Sequence, residues 1–180
     1  MRRVCVRRVR GGTAVPVRGY TLIELMVTVA VMAVVLAIAT PSFTSVVNGN
    51  RLGSQTEELV SSLQFARSEA LRRSQVVTLC QTADGATCGV APAGQMQWVA
   101  IANGAVVRSF AIKPPVVLFG STNTVRFMTN GMADTDADFT LCIPTTLPAE
   151  NQRVVSLLVG GRSAVARRNG NGECEAEEEP

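Results

Sequence analysis

The run RGYTLIELMV, residues 18–27, places one carboxylate, Glu24, inside a segment that is otherwise free of charge. From Tyr20 to Ala39 the only ionisable side chains are those of the tyrosine and Glu24. At about 1.5 Å per residue such a segment forms a helix roughly 30 Å long, enough to cross the hydrocarbon core of a bilayer. The sequence therefore predicts a transmembrane and assembly helix over residues 20–41.

Glu24 is a functional candidate because an acid within a membrane costs about 2.5–3.5 kcal/mol and needs a partner cation. Between Arg18 and Arg51 no other side chain supplies one. A backbone amine is then the candidate partner, and cleavage after Gly19 would create that amine at Tyr20.

Two other interpretations of this segment stay open. Ala37-Ile38-Ala39 fits the A-x-A rule for an ordinary secretory signal, whose hydrophobic region would then contain Glu24. An uncleaved membrane anchor would also explain the apolar run.

The basic leader, the Gly-Tyr-Thr-Leu-Ile-Glu motif and the apolar helix together resemble the class III signal of type IV pilins and type II secretion pseudopilins. This resemblance implies cleavage after Gly19 by an inner-membrane prepilin peptidase and N-methylation of Tyr20. It also implies that Glu24 meets the N-terminal amine of a neighbouring subunit. Pilins often have a proline where this chain has Pro41, and the missing backbone donor predicts a helix kink there.

The charge of +3 conceals an asymmetry. Of the 17 basic residues, six are arginines within the leader, residues 1–19, so that eleven remain against fourteen acids, a net of −3 for the rest. By the positive-inside rule the leader stays in the cytoplasm, so we expect a single-pass inner-membrane protein whose C-terminal domain is periplasmic.

Four cysteines follow the leader, an even number that suits an oxidising compartment. Three pairings are possible. We favour Cys80 with Cys88, which closes a short loop, and Cys142 with Cys174, which would fasten the C-terminus. Free thiols or a metal site are the alternative, although no cysteine pair has the two-residue spacing of a zinc site and histidine is absent.

Residues 42–74 predict an amphipathic continuation of the helix. Small or apolar positions recur in steps of four and three, at Leu52, Thr56, Leu59, Leu63, Ala66 and Ala70. Glycines at 49 and 53 lower the helix propensity by about 1 kcal/mol each, which predicts a weak joint over residues 47–54.

From residue 75 the pattern becomes extended and predicts about seven short strands up to residue 174. They are residues 76–80, 96–102, 105–112, 124–128, 139–143, 154–159 and 164–167. Asn103-Gly104 is a strong hairpin signal. The predicted fold class is α+β: a long N-terminal helix, transmembrane and then amphipathic, packed on an antiparallel β-sheet domain. The acidic residues 175–180 predict a disordered tail.

The segment from Val77 to Cys88, then Trp98, Phe139 to Cys142 and Gly161-Arg162 resemble the GspH/FimT group of minor pilins and pseudopilins. That resemblance implies a subunit of a type IV pilus, in a priming or tip complex, or a GspH-like subunit of a type II secretion system. The implied partners are other pilin or pseudopilin subunits, the prepilin peptidase, the inner membrane and DNA.

The resemblance implies DNA binding because some FimT-like proteins use a basic C-terminal segment in DNA uptake. Arg162, Arg167 and Arg168 are the candidate residues here, with Arg108, Arg126 and Arg153 as possible additions. Strand alternation would place Arg167 on the opposite face from Arg162 and Arg168. The alternative is that these arginines are solvated strand ends.

No cofactor, metal or catalytic residue is expected. The aspartates at 134, 136 and 138 hint at calcium, but Phe139 and Thr145 stand where an EF-type loop requires glycine and glutamate, which favours a polar turn. With no histidine and a single lysine, Lys113, no nucleophile and base can be named.

Overall fold

A computed structural model describes residues 19–90 and 97–174. The leader before Gly19 and the acidic tail 175–180 lie outside the described residues. Within them, one helix, α1 (Leu22–Arg73), precedes eight strands. These are β1 (Val77–Thr82), β2 (Gln97–Ala102), β3 (Ala105–Ala111), β4 (Val117–Gly120), β5 (Thr124–Phe127), β6 (Ala137–Cys142), β7 (Gln152–Leu157) and β8 (Ser163–Arg168).

Thr21 caps the N-terminus of α1. Its hydroxyl oxygen accepts a hydrogen bond from the Glu24 backbone N–H at 3.3 Å, and its carbonyl accepts from the Leu25 N–H at 3.1 Å. The side chain satisfies one of the backbone donors that a helix start leaves unpaired. Pro41 lies inside α1, and the kink expected there stays a prediction.

The weak joint expected over residues 47–54 is wrong, because these residues are helical throughout. Leu52 is fully buried, and the Asn48 side chain donates to the Leu147 carbonyl at 3.0 Å. Tertiary contacts at this point outweigh the poor helix propensity of the glycines.

The chain divides into a first unit that ends at Ala39 and a second that begins at Thr40. The second unit contains two four-stranded antiparallel sheets, of order β3-β2-β1-β5 and β4-β6-β7-β8. The α+β class with antiparallel strands is confirmed, and the division of the strands into two sheets was not predicted. The strand β4 was not predicted from the sequence. It has four residues, lies just beyond Pro114-Pro115 and pairs Leu118 with Leu141 of β6.

The hairpin signal is confirmed. Asn103 and Gly104 both have positive φ, 49° and 76°, as a type I′ turn requires, and they join β2 to β3.

The core of the second unit lies between α1 and the two sheets. The predicted helix face is confirmed, since all of its six positions are buried: Leu52, Thr56, Leu59, Leu63, Ala66 and Ala70. Trp98 of β2 stacks on Phe110 of β3, and its ring meets Phe139 of β6 edge to face. The two sheets therefore share one core.

Candidate functional site

Glu24 is the third residue of α1 and lies in its first turn. The backbone N–H groups of this turn carry the positive end of the helix dipole, which favours a carboxylate. Tyr20 precedes the helix and is 84% exposed. Within the described part of the chain, Glu24 forms no ion pair.

The N-terminal half of α1 exposes apolar side chains all round, from Leu22 to Val46. Of the described residues, only this helix is long and apolar enough to cross a membrane. A helix that is apolar on every side needs an apolar environment, either lipid or other helices.

Both favoured disulfides are present in the structure, between Cys80 and Cys88 and between Cys142 and Cys174. Asp84 organises the shorter loop. Its carboxylate accepts hydrogen bonds from the backbone N–H groups of Ala86 and Thr87, each at 2.8 Å. These bonds hold the pKa of Asp84 well below its usual range.

The longer disulfide is reinforced by Asn151, which is fully buried. Its amide nitrogen donates to the carbonyls of Ile143 and Glu173 at 3.0 and 3.1 Å, and its oxygen accepts from the Gly170 N–H at 2.8 Å. The segment from Gly170 to Cys174 is thereby held against the start of β7.

The three candidate DNA-binding arginines lie at the two ends of β8. Arg162 precedes β8, while Arg167 and Arg168 end it, so that Arg162 and Arg167 are roughly 16 Å apart along the extended chain. Arg167 lies opposite Arg153 of β7, and Arg168 lies opposite Gln152. The Arg167 Nη1 is 3.6 Å from a carboxylate oxygen of Glu150, which neutralises part of its charge.

Arg108 and Arg126, two of the arginines considered as additions to these three, contact other parts of the fold. Arg108 of β3 lies over the Phe65 ring at 5.2 Å and reaches the Ser61 hydroxyl at 3.3 Å. Arg126 of β5 pairs with Asp134 at 3.5 Å.

Asp134 and Asp136 accept hydrogen bonds from backbone N–H groups distant in the chain, and Asp138 lies in β6. Asp134 accepts a hydrogen bond from the backbone N–H of Arg126 at 3.0 Å, and Asp136 accepts from that of Val159 at 2.6 Å. No group of three or more potential metal-ligating side chains occurs among residues 19–90 and 97–174.

A cleft between α1 and β8, which we call the wedge, was not predicted from the sequence. Its volume is about 540 Å³, and it is lined by Gly53, Thr56, Glu57, Val60, Ser61, Arg153, Val165 and Arg167. At one end the helix and the strand are held together: Gln64 donates to the Ser163 hydroxyl at 3.0 Å, and Arg67 to the Gly161 carbonyl at 2.8 Å. No local sequence pattern predicts this cleft, because the residues on its two sides are about a hundred positions apart in the chain.

Two family models match the chain. The model of the type II transport protein GspH matches residues 55–161, and that of the prokaryotic N-terminal methylation motif matches residues 16–40. No curated protein matches the chain.

Among solved structures, the chain is similar to the type IV minor pilin FimU of Pseudomonas aeruginosa strain PAO1. The identity is 23% and the TM-score 0.51, over 65% of this chain and 89% of that chain. It is also similar to the minor pseudopilin EpsH of the type 2 secretion system of Vibrio cholerae, with 11% identity and a TM-score of 0.47, over 65% and 97% of the two chains.

Proposed function

The chain belongs to the GspH family and is a minor pilin or pseudopilin, and from that premise we propose that it is a FimT-like minor pilin of a type IV pilus. In this proposal the protein belongs to the complex that primes assembly of the fibre or forms its tip. The N-terminal helices of the subunits form the fibre core, and the disulfide-bearing sheets face outward.

The position of Glu24 carries the assignment to a filament subunit. The carboxylate lies in the first turn of an exposed apolar helix, four residues beyond Tyr20, and it forms no ion pair with the described residues. Prepilin peptidase cleavage after Gly19 would produce an α-amine at Tyr20, and N-methylation would convert it to a secondary amine that still carries a positive charge when protonated. That amine, on a neighbouring subunit, would neutralise Glu24 within the apolar core of the fibre.

The proposed domain organisation follows from this role. Residues 1–19 are the leader, residues 20–41 the membrane and assembly helix, residues 42–74 the amphipathic helix, residues 75–174 the periplasmic domain, and residues 175–180 an acidic tail. The leader arginines support a cytoplasmic N-terminus. The two disulfides support an oxidising compartment for the domain.

Mass spectrometry of the protein isolated from its native membrane or filament tests the proposal. The expected mature chain begins at N-methylated Tyr20. A chain that begins at another residue, or that keeps the arginine-rich leader, would overturn the assignment to a filament.

The alternative role is a GspH-like minor pseudopilin of a type II secretion system, which the description of the matching family favours. A deletion strain distinguishes the two roles. Loss of twitching motility with normal protein secretion supports the pilin, and the reverse supports the pseudopilin.

DNA binding on the pilus is a separate proposal. It is supported by Arg162, which precedes β8, and by Arg167 and Arg168 at the end of β8. A gel-shift assay on the full chain in detergent tests it at low salt, since phosphate contacts weaken as salt rises. The triple variant Arg162→Ala, Arg167→Ala, Arg168→Ala should lose the shift. A shift that is absent in the parent protein, or unchanged in the variant, counts against DNA binding.

A further inference from the structure

The loop between β6 and β7 lies against α1 at the end of its exposed apolar run. The Asn48 side chain donates to the Leu147 carbonyl at 3.0 Å, and a Cβ added at Gly49 would lie 4.0 Å from Pro148. Val46, where the run ends, precedes Asn48 by two positions, or about 3 Å of helix. Tertiary packing therefore places a segment from 99 residues later in the chain at the boundary of the apolar surface.

This end of the domain is almost free of charge. Residues 143–149 contain no ionisable side chain, and Arg51 is the only charged residue from 40 to 56. Leu147 is 39% exposed, and Arg51 is exposed as well. Arg51 follows Asn48 by three positions, so the two are neighbours on the helix surface. A loop with an exposed leucine thus lies next to an exposed cation.

The acidic side chains nearest in the chain are distant from Arg51 or have a partner. Glu57 and Glu58 lie six and seven positions beyond Arg51, about 9–10 Å farther along the helix from the apolar run. Glu150, just after the loop, lies 3.6 Å from Arg167. No ion pair of the described residues includes Arg51. Its charge is therefore available to an external anion.

We propose that this loop, residues 144–149, docks on the surface of an anionic phospholipid bilayer, with Leu147 at the boundary of headgroups and acyl chains and Arg51 on a lipid phosphate. An apolar side chain beside a basic one is the combination that binds such an interface. The inference rests on the membrane anchor of the proposed function and adds a second membrane contact to it. A domain held at two points has a defined orientation on the membrane before the subunit enters a fibre.

The membrane anchor itself selects lipid as the occupant. At about 1.5 Å per residue, the run from Leu22 to Val46 has a length of roughly 37 Å, against about 30 Å for the hydrocarbon core of a bilayer. A run this long reaches from one hydrocarbon boundary into the headgroup layer on the other side. The two positions from Val46 to Asn48 are too few to carry the loop away from that layer, whatever the direction of the helix.

The test reconstitutes the full chain in vesicles of equal parts phosphatidylethanolamine and phosphatidylglycerol. The acyl chains are brominated near the headgroup, because bromine quenches a tryptophan that it contacts. Leu147→Trp adds a reporter to the loop, and the emission of the buried Trp98 in the parent chain is subtracted. We expect the added emission to be at least about twofold weaker than in unbrominated vesicles, since a side chain at this boundary touches the acyl chains.

Leu158→Trp is the matched control and should not be quenched. Leu158 is 55% exposed, and its carbonyl accepts a hydrogen bond from the Gly161 N–H, while the Gly161 carbonyl accepts from Arg67. Arg67 lies nineteen positions beyond Asn48, about 28 Å along α1. The control therefore reports from the other end of the domain.

A second pair of variants tests the headgroup contact. In the Leu147→Trp chain, Arg51→Gln should reduce the quenching, because the charge that binds lipid phosphate is then lost. Arg162→Gln, the same change at an exposed residue next to Gly161, should leave the quenching unchanged. Equal quenching in these two variants would overturn the role of Arg51.

Flotation of the vesicles separates this inference from its premise. A chain that does not float with the vesicles would contradict the membrane anchor, and the proposed function with it. A chain that floats while Leu147→Trp is unquenched, or is quenched no more than Leu158→Trp, would overturn the inference alone. A blue shift of Leu147→Trp without quenching, growing with the protein-to-lipid ratio, would assign the loop to another copy of the chain and would also overturn it.

Discussion

Trp98 of β2 and Phe139 of β6 pack edge to face with their ring centroids 5.6 Å apart, and this contact joins the two sheets. Both side chains are fully buried. Trp98 is the only tryptophan of the chain, so its emission reports directly on the core that the sheets share.

Phe139→Ala should lower the free energy of unfolding by about 3–5 kcal/mol, because it leaves a cavity between the sheets. The measurement is urea denaturation of the full chain in detergent, followed by Trp98 emission. Val106→Ala on the exposed face of β3 is the control and should change stability by less than about 1 kcal/mol. Equal effects of the two variants would contradict a shared core.

Asn151→Ala should destabilise the protein by about 2 kcal/mol, because it leaves the Gly170 N–H without its acceptor and removes one donor from each of the Ile143 and Glu173 carbonyls. The same denaturation experiment measures this loss. Asn169→Ala is the control, since Asn169 is exposed and accepts a local bond from the Asn171 N–H at 2.9 Å. A neutral Asn151→Ala variant would show that the disulfide alone holds the segment after β8.

The stability contributed by Glu69 should depend on pH. Hydrogen bonds from Arg72 and then Arg73 lower the pKa of Glu69 from 4.5 to about 2. Because the pKa in the folded state is below that in the unfolded state, the ionised carboxylate stabilises the fold above about pH 4.5. This contribution is lost as the pH falls to about 2.

The difference in stability between the parent protein and Glu69→Gln should therefore be largest at neutral pH and should shrink below about pH 4.5. Urea denaturation at several pH values measures it. Ser68→Ala, a change at an exposed residue of the same helix that removes no ionisable group, should show no such trend. A difference for Glu69→Gln that is independent of pH would be contrary to the proposed effect of the ion pairs.

Gly53→Ala should raise the free energy of unfolding by about 0.5–1 kcal/mol, because Gly53 is helical and an added Cβ meets no atom within 4 Å. Gly131→Ala should have the opposite effect, since Gly131 has φ +75° and an added Cβ would lie 3.0 Å from the Leu71 side chain. Thermal unfolding compares the two variants. Destabilisation by Gly53→Ala would contradict the continuous helix of the structure and would favour the weak joint that the sequence predicts over residues 47–54.

Glu24→Ala should preserve membrane insertion, because it removes the one acid from an apolar segment, and should sharply reduce incorporation into fibres. Immunoblots of membrane and sheared-filament fractions measure both. Thr28→Val, a change in the same helix that keeps the charge, should leave incorporation intact. Normal incorporation of Glu24→Ala would exclude its pairing with the amine of a neighbour.

Features carried by residues close together in the chain were predictable. The apolar run around Glu24, the helical face from Leu52 to Ala70 and the Asn103-Gly104 turn each depend on spacing within a few residues, and periodicity and turn chemistry report that spacing directly. The basic residues near β8 could also be recognised in the sequence. Which of them lie side by side could not be predicted, since only the β7–β8 register places Arg167 beside Arg153.

The sequence by itself determined the long apolar N-terminal helix and the helix-then-strand order, because each follows from composition and short-range pattern. It favoured the two disulfide pairs among three possible pairings without deciding between them. Only the tertiary structure decided that α1 runs unbroken through its glycines, that the strands divide into two sheets, and that a wedge opens beside β8. These features depend on contacts such as Asn48 with Leu147 and Gln64 with Ser163, each between residues 99 apart. The free energy of such contacts is realised only when distant segments pack, and no local propensity contains it.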